Sequence, residues 1–396
     1  MPHRDKNIDR EALTALAQEL VRLPSPSGQE GQVAALVADE MRLAGFEEVR
    51  VDALGSVIGR LGDGQGKRLL LNAHMDTVGV GNQASWLRDP YGGEVEAGVL
   101  YGRGACDMKG GLAAMIHGVR ALAASPVRLQ GTLYLAAVVQ EEPCEGAAMQ
   151  HIVEVDGLRP DWVILGEPTN LQLARGQRGR IEFEVTVRGK ASHASAPQRG
   201  INAIYSAARV IVGLELLAPQ LNTDAFLGKG SIAVTEIRSQ SGSRNAVPDA
   251  CSLVIDRRLT NGETEAKATA EIKRVLARES VDASVEVPEY VASTYLGHPV
   301  QVRQHFPYWA TPTNEPLLVA ASAVIEDELG YVPHLGKWEF STDGTYTSGI
   351  AGIPTIGFGP GEERYAHTAE EQVRVDDLVS AAQVYAQLAS VLLRAR

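Results

Sequence analysis

A histidine and an aspartate two residues apart close the apolar stretch LLLNAHMDTV, as His74 and Asp76. In an extended strand the side chains at i and i+2 point the same way, so this imidazole and carboxylate leave the strand end together. That pairing suits a metal-ligating histidine backed by an orienting partner. Alone, an H-x-D is more often a hydrogen-bonded turn, so the reading depends on further donors. They arrive as Asp107 in GRGACDMKGG, Glu141 and Glu142 in VVQEEP, Glu167 in LGEPT and His367 in ERYAH. Two histidines and three carboxylates suit Zn²⁺ first, with Co²⁺ or Mn²⁺ as alternatives. One ion seldom needs five ligands. Two ions sharing a bridging carboxylate use them fully, at the roughly 3.5–4 Å spacing of two-metal hydrolases. Two divalent cations against three carboxylates and one hydroxide close near neutrality, as a buried cluster requires.

Glu141 and Glu142 take separate roles. Neighbours at a strand end point to opposite sides, so both do not easily reach one ion. Glu142 is assigned to the metal. Glu141 is assigned to taking the proton of the attacking water and delivering it to the leaving amine. An isolated EE pair is usually a solvated loop end, but this one follows an apolar strand in register with the other donors.

The elements that must position these groups alternate strand and helix. Asp9 reads as the N-cap of a first helix with Leu13, Leu16, Leu20 and Val21 on one face. A second helix, with Val33, Leu36, Val37 and Met41 in its stripe, stops at Gly45. Strands are expected over Leu69–Ala73, Val99–Gly102, Thr132–Val139, Asp161–Leu165 and Ile353–Gly357. Each runs into one of the candidate groups, where ligands bind in an open α/β sheet. From His74 to Asp107 is 33 residues and from Asp107 to Glu141 is 34, each the length of one strand–helix–strand unit. From Glu167 to His367 is 200, far too long for a crossover. The insert reads as strands Arg180–Arg188, Ser231–Ile237, Cys251–Leu259 and Ala283–Ala292, with helices Asn202–Leu217 and Thr264–Arg278. That order is ferredoxin-like. Tyr295–Glu315, rich in His, Pro and aromatics, reads as a linker returning to the first domain. The expected organisation is residues 1–177 and 296–396 as two parts of a catalytic domain, with 178–295 inserted between them.

Composition bounds the function. The 396 residues are 44% hydrophobic and 22% charged, an ordinary globular balance for two domains. A formal net charge of −12 offers no basic footprint for a nucleic acid or an anionic membrane. No run approaches a membrane span, and MPHRDKNIDREAL has no apolar targeting core. Three cysteines, Cys106, Cys144 and Cys251, form no C-x-x-C, so a reducing cytoplasm is expected and a disulfide scaffold is not. Cys106 and Cys144 read as small buried fillers. His117, in a helical stripe, and His151, His298, His305 and His334, without carboxylate companions, read as packing or surface. GVGNQA at 79–84 opens no strand–helix turn and is no dinucleotide site. The absence of G-x-S-x-G counts against a serine hydrolase.

With these residues in place, the chain resembles the M20 metallopeptidases and deacylases over essentially its whole length. That family includes acetylornithine deacetylases, succinyl-diaminopimelate desuccinylases, aminoacylases and carboxypeptidases. HMD at 74–76, GRGACDMKGG at 102–111, EE at 141–142, GEPT at 166–169 and AH at 366–367 carry the resemblance in order and spacing. GQRGR, FLGKGS, IDRRLTNGET and KWEFSTDG look like the selenium-metabolism-linked hydrolase branch, a pathway neighbourhood that names no substrate.

The resemblance implies a fold: a mixed-sheet, di-zinc peptidase-like catalytic domain with an inserted ferredoxin-like α+β lid and dimerisation domain. It implies that Asp107 bridges two ions, with His74 and Glu167 on one and Glu142 and His367 on the other. Asp76 would orient His74, and Glu141 would be the base. A cis peptide would join Asp107 to Met108. Glu167, where other members carry Asp, leans toward deacylases over tripeptide aminopeptidases. Arg258 and Asn245 match lid positions that hold a substrate carboxylate, for which a guanidinium is suited; Arg257 competes with Arg258. His193 matches a histidine that enters the partner subunit's active site and steadies the developing oxyanion. A homodimer through the inserted domain follows.

The resulting expectation is a cytoplasmic di-metal amidohydrolase. It would cleave N-acyl amino acids or short peptides through metal-bound hydroxide and act on small substrates with a free carboxylate. A dipeptidase or carboxypeptidase of the same family is the alternative enzyme. A catalytically silent metal-binding protein is the alternative of another class, and an intact Glu141 argues against it.

Overall fold

The computed structural model describes residues 8–394. Its apolar side chains form two separate cores, one drawing on residues 8–174 and 300–393, the other on residues 181–287.

The larger core surrounds a mixed nine-stranded sheet. In order its main path is Glu48–Val51, Val57–Leu61, Thr132–Val138, Arg68–His74, Trp162–Leu165, Thr355–Gly357, Leu173–Gln177 and Trp309–Ala310. Leu335–Trp338 is paired alongside Leu173–Gln177. The middle four strands of that path are mutually parallel. Leu69, Leu70, Leu71 and Ala73 are fully buried, the near-continuous apolar run of a strand covered on both faces. Parallel strands end at one edge of the sheet, so His74, the 139–142 segment, Glu167 and the 358–367 loop emerge together. Helices Gly110–Ala123 and Val375–Leu392 pack on each other, and Arg10–Arg22 and Pro316–Leu329 pack against the latter. Asp9 caps its helix as expected, accepting from Ala12 N at 3.0 Å.

One expected strand lies elsewhere. Val99–Tyr101 joins a separate three-stranded sheet between Glu94–Glu96 and Gln372–Arg374. It is three residues long, lies between Gly98 and Gly102, both at positive φ, and its pairing with Gln372–Arg374 keeps it outside the large sheet. The chain then enters a distorted helical turn at Ala105–Lys109, where Asp107 sits and where the Asp107–Met108 peptide is cis.

The smaller core belongs to a five-stranded antiparallel sheet whose main path is Ser231–Gln240, Ala250–Leu259, Gly179–Arg188, Ala283–Glu286, with His305–Phe306 paired alongside Gly179–Arg188 and with helices Ala203–Leu217 and Glu265–Arg278. This is the ferredoxin-like order. Ile181, Phe183, Val185 and Val187 alternate into the core, each with 0% exposure.

The last strand differs from expectation. It stops at Glu286, because Pro288 has no N–H to continue the ladder. Glu289–Ser293 instead pairs with Pro299–Arg303 as an independent hairpin. The segment expected as a plain linker therefore carries structure. His305–Phe306 pairs with Ile181 and Arg180, and Trp309–Ala310 with Gln177 and Gly176. The two connections between the cores thus run side by side. A Cβ at Gly179 would stand 2.6 Å from Tyr308 N, so only glycine permits this approach.

Candidate active site

The sheet edge brings all five proposed metal-holding side chains together. His74 Nε2 lies 2.9 Å from Asp107 Oδ1 and 3.6 Å from Glu167 Oε1. His367 Nε2 lies 3.2 Å from Asp107 Oδ2 and 3.0 Å from Glu142 Oε2. The two oxygens of Asp107 therefore face different histidines. His367 adopts φ +61°, an uncommon backbone state outside glycine that turns its ring toward the cluster. Glu141 lies at the inner side, where it and Glu167 each leave one buried oxygen without a hydrogen-bond partner. The cluster lines a cleft of about 320 Å³.

Asp76 holds the arrangement by a different atom than its carboxylate. Its main-chain carbonyl is 2.8 Å from His74 Nδ1, which fixes that ring nitrogen as the donor. The carboxylate lies 3.7 Å from the ring. It accepts instead from the N–H groups of Glu141 at 3.0 Å and Glu142 at 3.2 Å, and from the Ser27 hydroxyl at 2.7 Å.

The electrostatics describe a site that demands positive charge. Burial drives the carboxyls of Glu141 and Glu167 well above the usual range, and that of Glu142 upward, with neighbouring carboxylates adding to each shift. Burial opposes charge on His74, yet Glu167 and Asp107 outweigh it and raise its pKa well above normal. Hydrogen bonds to Asp107 and Glu142 lift His367 to about 10. Borderline divalent ions would fit this mixed imidazole–carboxylate set: Glu141 and Glu167 each keep a partnerless buried oxygen, and both group closely with His74.

Sequence reasoning missed several supporting residues. Glu371 is buried beneath Asp107: one oxygen accepts from Gly104 N at 2.9 Å, Cys106 N at 3.1 Å and Asp107 N at 3.0 Å, and the other meets buried Arg103. Asp343 accepts from Asn72 Nδ2 at 2.8 Å and Gly146 N at 2.7 Å, clamping the His74 strand to the loop after Glu142. Glu145 and Arg180 pair at 3.2 Å across the two cores. In sequence Glu371 looks like part of an exposed acidic run, and GQRGR and FSTDG served only as family likenesses.

The remaining candidates divide. Arg258 lines the cleft, held by Asp256 at 2.8 and 3.1 Å, whereas its rival Arg257 is buried against Glu263 and Glu271. His193 and Asn245 lie at the other end of the inserted sheet, both exposed and joined by Ala194 N to Asn245 O at 2.8 Å, and neither lines the cleft. Cys106, Cys144 and Cys251 are free and buried, as expected of fillers. His117 is buried in its helix. Two histidines read as lacking carboxylates have them. His151 stands 3.8 Å from Asp156 and groups with Asp52, and His305 is 3.4 Å from Glu265. Their partners are distant in sequence or beyond a helix end, where linear spacing carries no signal. Among the described residues, no helix is long and apolar enough to cross a membrane.

Comparison with known proteins agrees with this geometry. Residues 70–391 match the description "Peptidase family M20/M25/M40". The chain is 38% identical over 385 residues to the uncharacterized protein YgeY of Escherichia coli K12, covering 97% of this chain and 95% of that one. It is 29% identical over 409 residues to a succinyl-diaminopimelate desuccinylase of Cereibacter sphaeroides, covering 96% and 98%. The fold matches that of Bacillus subtilis YXEP, described as a dinuclear metal binding peptidase from the M20 family. The TM-score there is 0.72 at 18% identity, covering 98% of each chain. This chain, with its carboxylate–histidine cluster at the edge of a mixed sheet, belongs to peptidase family M20/M25/M40 and is a metal-dependent hydrolase.

Proposed function

We propose that the protein hydrolyses the amide bond of N-acyl amino acids or short peptides with two divalent metal ions, zinc first and cobalt or manganese as alternatives. His74, Asp107, Glu142, Glu167 and His367 would hold them. The observation that carries this reading is Asp107, whose two oxygens stand 2.9 and 3.2 Å from two different histidines and so suit a bridge. When bound, such ions polarise the scissile carbonyl and acidify the attacking water. Glu141, with a buried oxygen free of hydrogen bonds, takes the proton of that water and returns it to the leaving nitrogen. The Asp76 carboxylate, holding the Glu141 and Glu142 N–H groups, keeps base and ligand in register. Arg258 receives the substrate carboxylate from the cleft wall formed by the insert.

The active form is proposed to be a cytoplasmic homodimer through the inserted unit. Among the described residues its outer strand Ser231–Gln240 pairs on one side only, and Ile237 on that strand is exposed. Helix Ala203–Leu217 exposes Tyr205, Val212 and Leu216. An unpaired edge beside exposed apolar side chains suits self-association. His193 and Asn245, away from their own cleft, would then serve the partner's.

The test is a hydrolysis panel on protein reconstituted with Zn²⁺, Mn²⁺ or Co²⁺, comparing N-acetyl and N-succinyl amino acids with dipeptides. Release of free amino acid from the N-acyl compounds is expected to exceed dipeptide cleavage. Turnover of dipeptides alone would move the assignment to a peptidase, and turnover of neither would overturn it.

A further inference from the structure

We propose that Arg180 is a second anion-reading residue of this cleft, so that the preferred substrate carries an acidic group besides the carboxylate assigned to Arg258. The inference rests on the amidohydrolase reading above and narrows its substrate class.

Arg180 and Arg258 are direct cross-strand partners in the inserted sheet. Both occupy the polar face, since Ile181 and Leu259 beside them are buried in the core on the other side. Both line the cleft that holds Asp107, Glu141, Glu142, Glu167 and His367. Glu182 and Asp256, themselves cross-strand partners on the same face, balance the two guanidiniums and hold them in place over the cleft. Their place in the sheet keeps them over the cleft. Gly179, next to Arg180, is packed against Tyr308 where the two connections run side by side, and Phe306 on the return connection pairs with Arg180 itself. His193 and Asn245 lie at the other end of the same sheet, in segments tied to each other within the insert: His193 is bridged to Ala246, and Ala194 N donates to Asn245 O at 2.8 Å.

The two arginines differ in how far their donors are used. Arg258 gives two hydrogen bonds to Asp256. Arg180 has five N–H donors, as any guanidinium does. Among the described residues it makes one hydrogen bond, to Glu145 at 3.2 Å, while Glu182 and Asp256 lie at 3.6 Å. It is only 21% exposed and lines the cleft, with its three nitrogens standing toward Glu145, Glu182 and Asp256. Of the groups lining that cleft, Arg180 and Arg258 are the cations not engaged with the proposed metal ligands. A planar, partly desolvated guanidinium that makes a single hydrogen bond is matched by a further carboxylate. The second acid could sit on the side chain of the amino acid or at the far end of the acyl group, and the experiment separates these.

Steady-state kinetics on the zinc-loaded enzyme would compare N-acetylglutamate with N-acetylglutamine, and N-succinylalanine with the compound whose distal carboxylate is an amide. N-acetylalanine sets the baseline. In one of the two arms the acid is expected to exceed its amide in kcat/KM by about tenfold or more, the discrimination typical of a site left with an unpaired charge. Arg180→Gln should bring that ratio to about one, and Arg180→Lys should leave an intermediate value. The double variant Arg180→Gln/Glu145→Gln, which strands no buried charge, should behave as Arg180→Gln does and serves if the single variant is unstable. Acid-to-amide ratios near one in both arms of the wild type would overturn the inference while leaving the amidohydrolase reading intact. So would a ratio unchanged by Arg180→Gln, or equal losses on acid and amide, which would make Arg180 a latch between the two cores. Absence of turnover on every compound, N-acetylalanine and dipeptides included, would take the parent reading down with it.

Discussion

Glu371→Gln is expected to loosen the site from beneath without replacing a proposed ligand. Glu371 is 1% exposed and Arg103, its partner, 3%. Removing one member of a pair this deep costs about 3–5 kcal/mol, because the surviving charge stays buried without its counter-charge. The amide keeps an oxygen for the N–H groups of Gly104, Cys106 and Asp107, but those bonds lose their charge assistance and roughly half their strength. Its NH₂ then faces the Arg103 guanidinium, donor against donor. Arg103 retains the Gly79 carbonyl at 3.4 Å and the face of Trp86 at 5.1 Å, which places the expected cost near the lower end, about 3 kcal/mol. Urea denaturation of the metal-loaded protein measures it, through a lower midpoint at unchanged slope. Because the Asp107 N–H is among the three, the same variant should bind metal more weakly in equilibrium dialysis. Adding Arg103→Met should recover part of the stability, since no charge is then left alone. A loss under about 1 kcal/mol with unaltered metal binding would refute the reasoning, since it would show that the pair is not buried as described.

Four further outcomes follow from named contacts. Glu141→Gln should abolish turnover and leave the metal content at that of the wild type; a lost ion would show that Glu141 and Glu142 have been assigned the wrong way round. Arg258→Ala should depress kcat/KM for a free-carboxylate substrate far more than for its carboxamide, and equal losses would remove its role. Mixing His193→Ala chains with Glu141→Gln chains, each inactive, should restore part of the activity in hybrid dimers. No recovery in mixtures shown to exchange subunits would sink the action of His193 across the interface. Burial, and then Arg120, hold the His117 pKa down at about 4, below the unfolded value of about 6.5. Its contribution is therefore complete above pH 6.5 and is lost as pH falls toward 4. His117→Leu should flatten that part of the stability–pH curve, and an unchanged slope would contradict the burial.

How much of this the sequence revealed follows from what kind of information each feature needs. His74, Glu141, Glu142 and Glu167 stand directly after apolar strands, and a run such as LLLNA admits few readings other than a buried parallel strand. The inserted unit was readable for the same reason, since Ile181, Phe183, Val185 and Val187 alternate cleanly. The hairpin within 289–303 was not, because its partners are short and its composition is that of a loop. Val99–Tyr101 has a strand's residues, and only its pairing with Gln372–Arg374, far along the chain, decides which sheet it joins. Glu371, Asp343 and Arg180 were out of reach for a related reason. Each acts on a residue more than 30 positions away, and no local pattern distinguishes a buried acid or arginine from an exposed one.

Asp76 shows how the geometry reconciles ligand and base. A metal site needs its histidine fixed to within a few tenths of an ångström, and the base must face the water from a neighbouring strand. Separate supports for each would allow the two strand ends to drift apart. Here one residue serves both. Its carbonyl takes the His74 ring nitrogen, and its carboxylate takes the N–H groups of Glu141 and Glu142 on the adjacent parallel strand's extension. Ser27, from the loop before the second helix, holds the same carboxylate. The HMD pattern thus encodes a brace between strands more than an orienting carboxylate behind an imidazole. Asp76→Asn should therefore disturb the Glu141 side of the site at least as strongly as His74, because the amide can still accept one N–H but offers a donor to the other.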